Sequence, residues 1–272
     1  MPQYLKRYER PALAYAYYEG RPDNGPCILF MPGFRSDMEG TKALYLDSRC
    51  RERQQSFIRF DYRGHGRSEG SFEDGTIGLW LQDSLDIIDN VCKDKDIVVA
   101  GSSMGGWLAL LVSIERPDRI SGVLGIAAAP DFTREIFNDH MNASQRQEMK
   151  EKGHIDLPNA YSDEPYRITL ALIEDGEKYC LLDKSIPVKV PVTLVQGMRD
   201  EDVPWTKTFR IDKCLKEVET KIILIDDADH RLSGTEDLEI IDRELRFLTH
   251  GAGQNSDENP YQKSFLVVRQ NI

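Results

Sequence analysis

Six short runs of apolar residues recur along this chain of 272 residues, and most of them precede a stretch with the periodicity of an amphipathic helix. Runs that are apolar throughout, rather than alternating, are typical of strands buried on both faces of a parallel sheet. The alternation of such strands with helices predicts an α/β fold with a mostly parallel, doubly wound sheet. The six runs are Cys27–Gly33, Ser56–Asp61, Ile97–Gly101, Ile120–Ala129, Val192–Gly197 and Lys221–Asp226.

The alternation of strands and helices stops at residues 131–187, where polar, helical patterns replace a buried strand. We expect this segment to be a helical lid inserted into a core domain formed by residues 1–130 and 188–250. Near the N-terminus, Tyr4–Tyr8 and Leu13–Tyr18 alternate between apolar and polar residues, which favours an antiparallel hairpin ahead of the parallel strands.

Two helices are expected in the lid. One contains Ser144 and Gln147 at the spacing of a capping box, and the other covers residues 164–179. The tail, residues 251–272, begins with the composition of a linker, and we expect it to be flexible. Its apolar end, Ser264–Val268, leaves a docked strand as the alternative.

Composition argues against several classes of partner. The formal net charge of −11 disfavours binding to nucleic acid and to anionic membrane surfaces, and no apolar run is long enough to span a membrane. Five cysteines without a close pair favour free thiols, and the scattered histidines give no metal spacing, so we expect neither a metal nor a cofactor. The first ten residues, MPQYLKRYER, lack the apolar core of a signal peptide, and we expect a cytoplasmic protein.

The pentapeptide GSSMG at residues 101–105 follows a predicted strand and precedes a predicted helix. It fits the pattern G-x-S-x-G of a nucleophile elbow, with Ser103 as the nucleophile and Ser102 as a small spacer. Met104 begins the helix, so its backbone N–H is a candidate oxyanion donor, assisted by the helix dipole.

A serine nucleophile needs a base that is held in place by an acid. In a parallel sheet with an elbow of this kind, these two residues are expected at the carboxyl ends of later strands, the acid before the histidine. Asp200 and His230 occupy such positions, with Asp202 as a competing acid. His65 lies upstream of the serine in a glycine-rich turn, and we interpret it as a residue that shapes a loop or lines a pocket.

The second oxyanion donor is expected in the loop after the first long parallel strand. Gly33 allows a sharp turn there, and we assign the donor to the backbone N–H of Phe34. A plain Pro-Gly turn without function is the alternative at this position.

Together these residues resemble the α/β-hydrolase superfamily over roughly residues 11–249. FDYRGHGRS, at residues 60–68, is similar to the superfamily's loop after the second parallel strand. GMRDEDVPW, at residues 197–205, is similar to its acid-bearing segment, and this resemblance favours Asp200 over Asp202. The resemblance implies the α/β-hydrolase fold with an inserted lid.

Within the superfamily, the chain is similar to a group of acyl-protein thioesterases that also hydrolyse acyl glucuronides. The resemblance therefore implies a serine hydrolase that cleaves acyl esters and thioesters of small molecules or acylated proteins. One departure is Pro32–Gly33, where most members have His-Gly; proline lacks an N–H, but the assigned donor is Phe34.

Two other functions remain open at this stage: a carbon–carbon bond hydrolase with the same three residues, and a non-catalytic binding protein. Dehalogenase and epoxide hydrolase chemistry is disfavoured, because those enzymes use an aspartate where Ser103 stands.

Overall fold

The computed structural model describes residues 2–93, 95–158, 165–250 and 264–268; for residues 264 and 265 it describes the backbone alone. The described residues form a nine-stranded sheet and a separate two-stranded sheet. The strands are β1 (Gln3–Arg7), β2 (Arg10–Tyr18), β3 (Cys27–Met31), β4 (Phe57–Phe60), β5 (Ile97–Ser102), β6 (Ile120–Ile126), β7 (His154–Leu157), β8 (Tyr166–Thr169), β9 (Val192–Gly197), β10 (Thr220–Ile225) and β11 (Ser264–Val268).

The large sheet has the order β1-β2-β4-β3-β5-β6-β9-β10-β11 and is parallel from β4 to β11. β1 and β2 form the expected antiparallel hairpin, and β2 pairs antiparallel with β4. Each of the six apolar runs coincides with one of the parallel strands to within a few residues, so the predicted strand positions are confirmed.

Helices cover both faces of the large sheet. The helices are α1 (Thr41–Glu52), α2 (Ile77–Asn90), α3 (Met104–Glu115), α4 (Phe132–Glu135), α5 (Ala143–Lys152), α6 (Leu170–Glu177), α7 (Lys207–Cys214) and α8 (Thr235–His250). In β3, Leu29 packs into the apolar cluster beneath α2 and α3, whereas Ile28 and Phe30 pack into the cluster beneath α1 and α8. Every residue of β3 is buried, as a strand between two layers of helices requires. The expected doubly wound α/β sheet is confirmed.

The inserted segment, residues 131–187, differs in detail from the expectation: besides α4, α5 and α6 it contains a π-helical turn at Ile136–His140 and the two-stranded sheet. Its capping box uses Asn142 and Gln145, two residues before the expected pair, because Asn142 is the residue with extended backbone that precedes α5. The second expected helix is shorter than predicted, since Tyr166–Thr169 form β8 and pair with β7, and α6 starts only after Thr169 caps it. Ile168 on β8 is buried in the core, which explains why this stretch carries apolar residues.

The tail also differs from the expectation of flexibility. Ser264–Val268 form β11, which pairs parallel with β10 at the edge of the large sheet, from Lys221–Ser264 to Ile225–Val268. This is the docked strand that the sequence left as an alternative. The expectation for residues 251–263 and 269–272 lies outside the described residues. Among the residues that the structure does describe, no helix has the length and hydropathy needed to span a membrane.

Candidate active site

The loop between β5 and α3 is a sharp turn centred on Ser103. We call Gly101–Gly106 the elbow. Ser103 has φ 55° and ψ −117°, a conformation that is unfavourable for a residue with a Cβ and that is often found at functional sites. Its backbone N–H donates to Ile126 O on the adjacent strand β6 at 2.9 Å. A Cβ on Gly105 would lie 2.0 Å from Met31 O, so only glycine allows α3 to start this close to β3.

Three side chains from three strand ends meet at the elbow. Ser103 Oγ lies 3.1 Å from His230 Nε2, and His230 Nδ1 lies 2.8 Å from Asp200 Oδ2. Because a carboxylate only accepts hydrogen bonds, Nδ1 carries the proton, and Nε2 accepts from the serine hydroxyl. Asp200 follows β9 and His230 follows β10, the positions that the sequence predicts.

The carboxylate of Asp200 has its hydrogen-bonding capacity filled. Oδ1 accepts from the backbone N–H groups of Asp202 and Val203 at 2.9 and 2.7 Å. Oδ2 accepts from Gln196 Nε2 at 2.6 Å and from His230. The Asp200 side chain is 0% exposed, which strengthens each of these bonds by excluding water. Asp202 takes part in this network through its backbone N–H, and as a residue it is exposed to solvent.

His65 is not part of this hydrogen-bonded chain, and aromatic side chains pack around its ring. Its ring is 5.4, 5.0 and 5.1 Å from the rings of Tyr62, Phe72 and Trp80. Nδ1 donates to Arg63 O at 3.3 Å, and Nε2 has no partner among the described residues. Burial lowers the pKa of His65 from 6.5 to about 4, so the imidazole is neutral at physiological pH. His65 therefore shapes this loop and is not hydrogen-bonded to Ser103.

Two backbone N–H groups flank Ser103. Met104 is the first residue of α3, so its N–H has no partner within the helix. Gly33 packs directly against the serine, since a Cβ on Gly33 would lie 3.3 Å from the Ser103 Cβ. Phe34 follows it in a turn that is closed by a hydrogen bond from Ser36 N to Gly33 O at 3.1 Å. Within the described residues, neither the Met104 nor the Phe34 N–H donates to another protein group.

The side chain of Phe34 is the centre of an aromatic cluster that the sequence did not reveal. Its ring packs edge-on against four others, with centroids 4.9 to 6.0 Å apart. Phe72 and Trp80 belong to the core domain, whereas Phe132 and Tyr166 belong to the inserted segment. No local sequence pattern predicts these contacts, because the residues in contact are up to 132 positions apart in the chain (residues 34 to 166). The cluster places an apolar surface beside the elbow.

One group of side chains has the donor types of a metal site. Oxygen atoms of Asp200 and Asp202 and a ring nitrogen of His230 lie within 4.8 Å of one another. Spacing along the sequence did not indicate this group. The four hydrogen bonds on Asp200 would have to break for its oxygens to bind an ion, so the donor set fits an acid–base pair better than a metal centre.

Comparison with known proteins bears on the family of this chain. The family model of the alpha/beta hydrolase family matches residues 28–242. The chain is 38% identical over 239 residues to bovine "Palmitoyl-protein thioesterase ABHD10, mitochondrial", covering 88% of this chain and 76% of the relative. The human protein of the same name is 36% identical over the same length.

Two solved structures are also similar. Mouse alpha/beta hydrolase domain-containing protein 10 has a TM-score of 0.84 and 35% identity, covering 91% of this chain and 98% of the mouse chain. A putative hydrolase from Agrobacterium vitis has a TM-score of 0.86 and 34% identity, covering 92% and 98%.

The chain belongs to the alpha/beta hydrolase family, as its sequence resemblance implied. It is an enzyme of the serine hydrolase class, so the non-catalytic alternative is wrong. The expected cytoplasmic location is contradicted, because the bovine and human relatives are named as mitochondrial proteins.

Proposed function

We propose that Ser103 attacks the carbonyl carbon of an acyl ester or thioester and forms an acyl-enzyme, with His230 as the base and Asp200 as the orienting acid. The observation that carries the proposal is the hydrogen-bonded chain from Ser103 Oγ to His230 (3.1 Å) and from His230 to Asp200 (2.8 Å). Serine is a weak nucleophile unless a base accepts its proton during attack.

Each residue has a separate role in this mechanism. His230 Nε2 takes the hydroxyl proton and later gives it to the leaving group. Asp200 keeps the proton on Nδ1 and stabilises the imidazolium that forms during attack. The N–H groups of Phe34 and Met104 bind the oxyanion of the tetrahedral intermediate. Water then attacks the acyl-enzyme with His230 again acting as the base, and Ser103 is regenerated.

The chemistry favours thioesters and activated esters as substrates. A cysteine thiolate, with a pKa of about 8.5, leaves with little help once the tetrahedral intermediate forms, and the anomeric oxygen of an acyl glucuronide leaves more readily than a simple alkoxide. Five mammalian relatives carry the name palmitoyl-protein thioesterase. We propose the same activity here, with acyl glucuronides as further substrates.

We also propose that the inserted segment is a lid that sets acyl selectivity and that residues 1–130 and 188–250 act as the core domain. Phe132 and Tyr166 bring apolar surface from the segment to Phe34 beside the elbow. The segment is fastened to the core by Asp175, which accepts from Gly78 N at 2.7 Å, and by Tyr179, whose carbonyl accepts from Trp107 Nε1 at 3.1 Å.

The test compares kcat/KM for an octanoyl thioester, the matching oxyester and the matching amide. We expect the thioester and the oxyester to be hydrolysed, and the amide to be far slower because an amine must be protonated as it leaves. Amide turnover within about tenfold of thioester turnover, a barrier difference of only ~1.4 kcal/mol, would contradict the proposal.

A further inference from the structure

Arg35 follows the proposed oxyanion donor, and two aromatic rings hold its guanidinium. The Cζ atom lies 4.4 Å from the centroid of the Phe72 ring and 5.2 Å from that of the Tyr166 ring. Aromatic faces attract a cation, and a stacked guanidinium still presents N–H donors along its edge. The two rings therefore orient the cation while leaving its edge for a hydrogen-bonding partner.

Arg35 lacks the acidic partner that most arginines of this protein have. It is exposed, and no carboxylate among the described residues lies within ion-pair distance of it. By contrast Arg67, which is also exposed, pairs with Glu39 at 3.2 Å. Arg35 also has φ 55°, a left-handed backbone conformation in which glycine would be less strained. Neither a structural ion pair nor the turn itself explains an arginine at this position.

The position of Tyr166 relates Arg35 to the proposed catalytic residues. Burial raises the pKa of Tyr166; the charge of Asp202 adds to this increase, and the charges of Arg35 and Arg231 oppose it. Asp202 is on the acid-bearing loop and Arg231 directly follows His230. The Tyr166 ring also packs against Phe34 with centroids 6.0 Å apart, so the ring on which Arg35 stacks lies next to the residue proposed as an oxyanion donor.

We propose that Arg35 binds an anionic group, a carboxylate or a phosphate, on the leaving portion of the substrate. This deepens the proposed function and rests on it. A fatty acyl chain is uncharged, so an anion on such a substrate belongs to the leaving portion. A guanidinium recognises both anions through paired N–H donors. The formal net charge of −11 repels anionic substrates, and the positive charge of Arg35 would offset this repulsion next to the proposed oxyanion donor.

The test uses two pairs of substrates, each differing in one charged group. The first pair is 1-O-octanoyl glucuronide and 1-O-octanoyl glucose, which differ in the carboxylate. The second pair is S-octanoyl phosphopantetheine and S-octanoyl pantetheine, which differ in the phosphate. Wild type, Arg35→Gln and Arg35→Lys are compared by kcat and KM on all four. Arg116→Gln is the control for net charge, because Arg116 follows α3 at the end remote from Ser103.

For at least one pair, we expect Arg35→Gln to reduce kcat/KM on the anionic member about tenfold more than on the neutral member, mainly through KM. Arg35→Lys should recover part of that difference, and Arg116→Gln should show none. The pair that responds identifies carboxylate or phosphate as the ligand. Equal losses on both members of both pairs would overturn the proposal, as would no loss on any. Failure of wild type to hydrolyse even the neutral members would instead refute the proposed function.

Discussion

The elbow and the inserted segment both lie next to the loop of Gly33 and Phe34, but they are built by different kinds of interaction. The elbow depends on backbone geometry: the positive φ of Ser103 and the close approach of Gly105 to Met31 O. The inserted segment depends on contacts between side chains, such as Tyr166 with Phe34. We infer that changes at the elbow side act on the chemistry, whereas changes in the segment act on local stability and on substrate choice.

The largest effect is expected at the elbow itself. Ser103→Ala should lower kcat on a p-nitrophenyl ester by on the order of 10⁴ or more, because it removes the proposed nucleophile. Intact mass spectrometry after fluorophosphonate treatment should show one adduct on the wild type and none on the variant. Ser102→Ala is the matched control and should keep the adduct; an adduct that maps to Ser102 would contradict the assignment.

The acid loop gives the next largest effect. Asp200→Asn should reduce kcat by on the order of 10³–10⁴, because the amide no longer favours the proton on His230 Nδ1. Asp202→Asn should cost far less, since the backbone N–H of Asp202, which the change keeps, is the group that donates to Asp200. Steady-state kinetics of both variants decide the matter, and equal losses would show that the two carboxylates share the role.

A change in the inserted segment should affect stability locally. The buried carboxylate of Asp131 accepts from Leu181 N and Leu182 N at 2.7 and 2.9 Å, which joins the two ends of the segment. Asp131→Asn keeps the shape but loses one acceptor, at a cost of about 2–3 kcal/mol. Hydrogen exchange at Leu181 and Leu182 should speed up more than exchange in β5. Asp156→Asn, which removes a solvent-exposed pair with Arg167, is the control and should leave exchange unchanged.

If Asp131→Asn instead accelerated hydrogen exchange equally across the large sheet, the contrast between the inserted segment and the core domain would be contradicted. That result would mean that the inserted segment and the core domain unfold as one unit, and that the segment has no local stability of its own.

The smallest effect concerns the pH dependence of stability and tests His65 in the core domain. His65 has a pKa of 6.5 when unfolded and about 4 when folded, so the unfolded state binds more protons between these values. Its contribution to stability is complete above pH 6.5 and is lost as the pH falls toward 4. Between pH 7 and pH 5 the loss should be roughly 2 kcal/mol. Urea unfolding of wild type and His65→Gln at both pH values measures the contribution of His65 to the free energy of unfolding. The same pH dependence in both proteins would refute this attribution.

The sequence was sufficient for those parts of the molecule that local patterns determine. Apolar runs marked the parallel strands, and strand ends indicated where Ser103, Asp200 and His230 would meet. The geometry brings these three together, while their catalytic roles stay a prediction for the variants above. The choice of Asp200 over Asp202 needed the family resemblance, because both follow the same strand.

Tertiary contacts decided what the sequence could not. Residues 166–169 fit a helical pattern, yet they form β8 because Ile168 is buried when they pair with β7. β11 has few signals of its own, and its place depends on the free edge of β10. The aromatic contacts of Phe34 and the stacking of Arg35 join residues far apart in the chain, so no window of the sequence contains them.

The two uses of Phe34 affect how an enzyme of this kind can change during evolution. The same residue offers its backbone N–H as the proposed oxyanion donor and its ring to Phe132 and Tyr166 of the inserted segment. A substitution that reshapes the acyl surface at either partner is expected also to shift the backbone N–H that we propose as an oxyanion donor. New acyl preferences are therefore expected to arise with a loss of turnover, which later substitutions around residue 34 would have to restore.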